Sequence, residues 1–454
     1  IRTGFFARSD LMEQYDVVVL GGSAAGIPAG ITARRHYPDK SIGLIRKEKK
    51  VPIPCGIPYI FGTVMTTDKN IIPDGVLEQN NIDLIIDEAV SIECGDKTVS
   101  TAGGSTVGYD KLVIATGSSP LQPPIPGIDK ENVFFVKKDV PYLDTVLKAC
   151  DNAENAVVLG GGFIGVEFAD ELRKRGMNVT IVEMLPHCLQ LAFEESFCAE
   201  AEEKLKNVGI NVLADVKLEE ILGNGTVSGV KLSNGEELET DIVIVGIGVK
   251  PNIGLAENAG LETDSGGIVV DNHMRTSDQN IFACGDCVSK VSFFTGKPSP
   301  LKLASIATME SRVAGANLFE NRREKSGVIG VFSTIVDDLV LAVAGMGEKE
   351  AVENGYDVAV GKIEKPNRHP GGMPGMKPIK VKLVFNKQNG ELIGGAARGG
   401  DSVGELINTI SACIQKKMTA DDIAMFQLGT HPAVTASPIA YQLVNAAELA
   451  LKNM

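Results

Sequence analysis

The sequence predicts an α/β protein with two dinucleotide-binding units and a C-terminal α+β module that pairs with a second copy. Three observations carry that prediction. A buried strand, a glycine turn and a helix follow one another twice, beginning near Tyr15 and again near Val157. A later stretch, 274–286, ends in Ala283-Cys284-Gly285-Asp286 and reads as a return to the first unit. Beyond the basic link Arg322-Arg323-Glu324-Lys325 no nucleotide motif recurs. The 454 residues suffice for about three domains of roughly 150 each.

Bulk properties narrow the partners. A net charge of -14 argues against nucleic acid and against an anionic membrane surface. No apolar run approaches the roughly 18 residues of a membrane span. Eight cysteines at irregular spacing in a long chain do not read as a disulfide scaffold, so a reducing cytoplasm is expected. No metal ion is expected. Residues 1–11 lack the apolar core of a signal peptide and read as a leader or cloning remnant, with Met12 as a natural start.

In the first unit, residues 15–20 (YDVVVL) form a short β-branched strand that runs into Gly21-Gly22-Ser23-Ala24-Ala25-Gly26. The first glycine allows a tight turn and the last allows close helix–strand packing. The phosphates of a dinucleotide then sit on the helix N-terminus. The helix ends in Arg34-Arg35-His36, and a second strand is expected at 41–45. Two residues depart from the pattern. Ser23 adds a side chain where backbone should approach a pyrophosphate, and Arg46 stands where a ribose-binding acid is expected, with Glu48 two residues on. A further strand ends in Ala115-Thr116-Gly117, and the proline-rich 120–127 reads as a linker.

The second unit is complete. After a helix at 140–149, a strand at 157–159 leads into Gly160-Gly161-Gly162-Phe163-Ile164-Gly165. The strand 179–182 ends in Glu183, 18 residues beyond Gly165, where an acid can accept from a ribose 2′-OH. The same carboxylate would repel a 2′-phosphate, which favours NADH over NADPH. The strand 241–245 and the turn through Gly248 close this unit. Two dinucleotides in one chain suggest a nicotinamide and a flavin, since flavin takes a hydride and passes electrons to a thiol. Asp286, at a glycine turn after a buried strand, is placed to accept from a ribityl hydroxyl. Cys284 and Cys287 flank that turn, and their C-x-x-C spacing is read as part of the turn rather than as a redox pair.

The thiol itself is expected in 51–60 (VPIPCGIPYI). Pro58 suits the first turn of a helix, which would put Cys55 at a helix N-terminus. Such a site lowers a thiol pKa from about 8.5 into the range of roughly 3.5–7.5. After a helix at 304–319, strands are expected at 331–336, 357–363, 379–385 and 392–396, and helices at 403–417 and 439–452. A ligand-free module ending in a long apolar helix suggests a dimer interface.

Taken together, the paired glycine turns, Ala115-Thr116-Gly117, Ala283-Cys284-Gly285-Asp286 and the C-terminal module resemble the pyridine nucleotide-disulfide oxidoreductases over nearly all of 13–454. Cys55-Gly56-Ile57-Pro58-Tyr59 resembles the single-cysteine branch: coenzyme A-disulfide reductases, persulfide and polysulfide reductases, NADH peroxidases and NADH oxidases. The position of a second redox cysteine is Ile60. The resemblance implies two Rossmann-like domains, for FAD (12–123 with 254–326) and NADH (124–253), and a dimerisation domain (327–454). It implies a flavin site that includes Gly21, Ser23, Ala24, Gly26, Glu48, Val90, Ala115, Thr116, Gly117, Asp286 and Ala304. It implies a nicotinamide site that includes Gly160, Gly162, Phe163, Ile164, Gly165, Glu167, Glu183 and Gly248.

Peroxidases and oxidases of this branch carry a histidine where this chain has Ala24, so sulfur–sulfur substrates are favoured. The resemblance places a coenzyme A-linked or smaller sulfur substrate near Arg34, Arg35, Tyr59, Phe61, His369 and Met373. It makes His431, in Thr430-His431-Pro432, a candidate proton donor across a homodimer, although the usual glutamate partner is Ala436. The expected reaction passes a hydride from NADH to FAD and electrons on to Cys55, which reduces a disulfide, persulfide or polysulfide. The alternatives are an NADH oxidase acting on O₂ and a reductase for a small electron-transfer protein.

Overall fold

The computed structural model describes residues 13–454. The expected leader and Met12 lie outside the described residues. Glu13–Leu20 forms the centre of a seven-stranded sheet, with Ile42–Arg46 and Thr106–Ile114 on either side in parallel. Val17, Val18, Val19 and Leu20 are all buried, as expected of a parallel strand covered on both faces. Ile281–Ala283 pairs in parallel with Leu112–Ile114, so the chain rejoins this sheet after leaving it.

The helix Gly26–His36 packs on the helix Ala304–Asn317. The crossing is close because both helices offer small residues: a Cβ on Gly315 would lie 2.4 Å from the Ala29 carbonyl oxygen. The second sheet has five parallel strands in the order Val133–Phe135, Ile242–Val245, Asn155–Leu159, Asn178–Val182, Ile210–Leu213. Each glycine turn therefore leaves the carboxyl end of a central strand, where open α/β sheets bind ligands.

The C-terminal module is a five-stranded antiparallel sheet covered by Val403–Gln415 and Gln442–Leu451. The expected strands and helices are present. A strand not expected, Leu339–Gly345, pairs with Val331–Val336 across a tight turn at Asp337 and Asp338. Ion pairs fasten this sheet to the second unit. Lys382 meets Glu194 at 2.6 Å, Lys380 meets Glu200 at 2.7 Å, and Lys204 meets Asp338 at 2.6 Å. The lysines at 380 and 382 are largely withdrawn from water, so these pairs resist salt better than exposed ones.

Candidate active site

A single cleft of about 2140 Å³ runs between both glycine turns and the Cys55 segment. At the first turn Gly21 has φ +110°, and a Cβ there would lie 2.3 Å from the Ala115 carbonyl oxygen. At the second turn Gly160 has φ +105°. Gly26 and Gly165 do not line the cleft. They sit beneath their turns, where a Cβ would fall 1.8 Å from the carbonyl oxygen of Gly21 or Gly160 respectively. Their part is close packing of helix on strand.

Around the first turn, the cleft is lined by Gly21, Ser23, Ala24, Glu48, Ala115, Thr116, Gly117, Asp286 and Ala304. Ser23 Oγ is buried and has no hydrogen-bond partner among the described residues. It is a donor in want of an acceptor, which suits a phosphate. Asp286 accepts from Ser118 Oγ at 2.8 Å and meets Lys138 at 3.4 Å. Thr116 and Ser119 both donate to Asn252, which ties this wall to the chain leaving the second unit. Lys138, Asn252 and Lys302 were not foreseen, because no local motif marks them. Lys302 donates to the carbonyls of Gly266 and Val288, and burial lowers its pKa.

Around the second turn lie Gly160, Gly162, Phe163, Ile164, Glu167, Glu183 and Gly248. Glu183 is buried at the end of Asn178–Val182. It accepts from the backbone of Gly161 at 2.6 Å and of Leu185 at 2.7 Å. The carboxylate thus braces the turn and still faces the cleft with lone pairs to spare. The corresponding residue of the first unit, Arg46, is buried and also borders the cleft, and its Nη1 has no hydrogen-bond partner among the described residues. It forks onto Asp74 at 2.7 and 2.8 Å and donates to the Glu48 carbonyl.

Cys55 is exposed to the cleft; Cys94 is half-buried and the other cysteines are buried. The expected helix start is not there. Cys55 sits in a single 3₁₀ turn, Pro54–Gly56, followed by a second, Pro58–Phe61. Such short turns align too few peptide dipoles to stabilise an anion. Burial against the cleft wall, then the Glu167 carboxylate, push the thiol pKa up, with Lys138 opposing. The expected depression is therefore corrected for the protein alone. Glu167 is itself pushed up to about 7 by burial, although a hydrogen bond from Thr334 works against this. Tyr59 lines the cleft, its phenol pushed up to about 12 by burial and by Glu167.

Several other expected ligand residues lie elsewhere. Phe61 is 1% exposed and packs on Phe168 in the core. At three residues per turn the 3₁₀ segment points Tyr59 and Phe61 about 120° apart, and Tyr59 reaches the cleft while Phe61 enters the core. Val90 is 48% exposed, and its neighbours Glu88 and Ala89 line the cleft in its place. Arg34 spends four of its five N–H donors on the carbonyls of Asn80, Asn81, Pro38 and Lys40, which leaves no pair of donors for a phosphate. Arg35 is exposed at the far end of its helix. His369, Met373 and His431 are absent from this cleft but belong to adjoining loops: the His369 amide donates to Pro432 O at 3.1 Å. Cys284 and Cys287 are fully buried, and the Cys287 thiol donates to backbone carbonyls.

Two dinucleotide cradles opening on one cleft that also holds an exposed thiol define a flavin- and pyridine nucleotide-dependent oxidoreductase. The chain belongs to the pyridine nucleotide-disulphide oxidoreductase family, which matches residues 15–311, and the family's dimerisation domain matches 331–439. FAD and a pyridine nucleotide are its cofactors. It is 32% identical to an NADH oxidase of Methanocaldococcus jannaschii, over 96% of this chain and 99% of that one. It is 31% identical to an NAD(P)H coenzyme A polysulfide/persulfide reductase of Pyrococcus horikoshii, over 92% and 94%. Among solved structures, the NAD-dependent persulfide reductase of A. fulgidus superposes with a TM-score of 0.89 at 33% identity, covering 96% of this chain and 83% of that one.

Proposed function

We propose that this enzyme takes electrons from NADH and delivers them to Cys55, which reduces a disulfide, persulfide or polysulfide of low molecular weight. The observation that carries this is the position of Cys55: the one exposed cysteine among the described residues opens on the cleft shared by both nucleotide turns. The P. horikoshii and A. fulgidus relatives support the substrate class. FAD would lie along Gly21, Ser23, Thr116 and Asp286; bound there, it supplies two-electron transfer between nicotinamide and sulfur. Gly160, Gly162 and Glu183 would seat NADH, with the Glu183 carboxylate on the ribose.

Cys55 acts as the nucleophile. Its thiolate attacks the outer sulfur of R–S–S–R′ or R–S–SH, a new Cys55 S–S bond forms, the old S–S bond breaks, and a thiolate leaves. Two electrons then cleave the new bond, release the second sulfur product and restore the Cys55 thiolate. The leaving thiolate needs a proton in a part-buried site. Glu167, held near 7 and close enough to bias the Cys55 thiol, can store one. His431 would serve only from the partner of a homodimer, which the dimerisation domain supports. We place the domain boundaries at 12–123 with 254–326, 124–253 and 327–454, and the enzyme in the cytoplasm, where its free thiols stay reduced.

Reduction of O₂ is the second reading, favoured by the resemblance to the M. jannaschii NADH oxidase. The test is Cys55→Ser under argon. Persulfide turnover is expected to fall at least about 1000-fold, with flavin reduction by NADH within about twofold of the parent. Persulfide turnover that survives in this variant defeats the proposal. NADH consumption in air that exceeds turnover with persulfide favours the oxidase.

A further inference from the structure

Phe163 and Glu167 stand one helical turn apart on Phe163–Lys174 and share one face of that helix. Both line the cleft, yet both are held by the C-terminal module of the same chain. Phe332 and Thr334 are two apart on Val331–Val336 and so share one face of that strand. The rings of Phe163 and Phe332 stack with centroids 4.7 Å apart and 4° between planes. The buried Phe193 flanks Phe163 at 5.9 Å. Thr334 Oγ1 donates to Glu167 Oε1 at 3.1 Å, and Thr334 is only 5% exposed. Phe332 and Ser333 reach the cleft wall themselves. At the end of this strand, Lys204 of the second unit pairs with Asp337 and Asp338 at 2.7 and 2.6 Å, which ties the strand's turn to that unit.

We propose that the strand Val331–Val336 is a latch on the nicotinamide site: Phe332 positions Phe163 by stacking, and Thr334 positions Glu167 by its hydrogen bond. The inference rests on the reading of this end of the cleft as the NADH site. Phe332 and Thr334 are positioning residues. A ring fixed before the ligand arrives spares the ligand the cost of ordering it. The titratable groups coupled to Glu167 are Glu171 on its own helix and Cys55 and Tyr59 on the segment opposite. Thr334 is the contact that favours the ionised carboxylate.

The test is a double-mutant cycle on the oxidised holoenzyme, with NAD⁺ binding followed by calorimetry and the NADH dissociation constant taken from anaerobic flavin reduction. Phe332→Ala should weaken both nucleotides about three- to tenfold, the range set by one aromatic pair. Phe332→Tyr should restore parental binding. In a Phe163→Ala background the Phe332→Ala change should add nothing. Thr334→Val should move the pH midpoint of flavin reduction upward, because the lost donor stabilised the carboxylate. FAD content and melting temperature certify folding. Equal effects of Phe332→Ala in both backgrounds, or none in either, overturn the latch. A Phe163→Ala variant that binds both nucleotides like the parent removes instead the reading of the NADH site.

Discussion

The two glycine turns are the same device built twice. Both open with a glycine at φ just above +100°, and both close with a glycine whose Cβ would fall 1.8 Å from the first one's carbonyl oxygen. They part company at the end of the following strand. In the second unit Glu183 braces its own turn through Gly161 and faces the cleft. In the first unit Arg46 also borders the cleft, but it packs against the turn, where a Cβ on Gly22 would meet its Cδ at 2.5 Å, and its Nη2 goes to Asp74. The turn itself answers to backbone geometry, which any dinucleotide needs. The residue after the second strand is free to vary, so it is where one cradle comes to differ from the other.

The largest expected effect breaks one turn at a time. Gly160→Val forces a β-branched side chain to φ +105° with its Cβ 2.8 Å from the Gly246 carbonyl oxygen. The variant should purify yellow, with flavin reduction by NADH slowed at least about 100-fold. Gly21→Val should instead purify without flavin. Absorbance spectra and stopped-flow reduction read both; flavin loss in Gly160→Val would mean that the two cradles are not separable. Next comes the residue that differs. Glu183→Arg should lower the ratio of kcat/KM for NADH over NADPH by about 10- to 100-fold. Arg46→Met should leave that ratio unchanged and cost about 1–2 kcal/mol of stability. The loss is that modest because Asp74 is 41% exposed and regains water.

What could be read from the sequence follows the same division. Glycine turns, the acid at Glu183 and the Asp286 turn are local: each needs only a short run of residues around a strand end, so pattern and spacing are enough. Phe332 and Thr334 were invisible because their partners Phe163 and Glu167 lie 169 and 167 residues away, in a module that carries no nucleotide motif. Tyr59 and Phe61 look alike on paper; only the 3₁₀ turn sends one to the cleft and the other to the core. That turn also undid the expectation of a helix dipole at Cys55, since a proline admits a 3₁₀ start as readily as an α-helical one. Arg34 looked like a phosphate ligand, but carbonyls of neighbouring loops take four of its five donors.

The finest test exchanges the middle residues of the two turns. A Cβ on Gly162 would meet no atom within 4 Å, so Gly162→Ser should fold like the parent. Only a bound nucleotide would feel the new side chain, and NADH should weaken by less than about tenfold. Ser23→Gly is the reverse change. Ser23 Oγ is buried with no partner among the described residues, which is costly unless a ligand oxygen accepts from it. Its loss should therefore weaken FAD in reconstitution of the apoprotein by about threefold to tenfold and leave the melting temperature of that apoprotein equal or higher. Tighter FAD binding in Ser23→Gly would show instead that the serine obstructs the pyrophosphate, and that the first turn tolerates its departure from the pattern rather than using it.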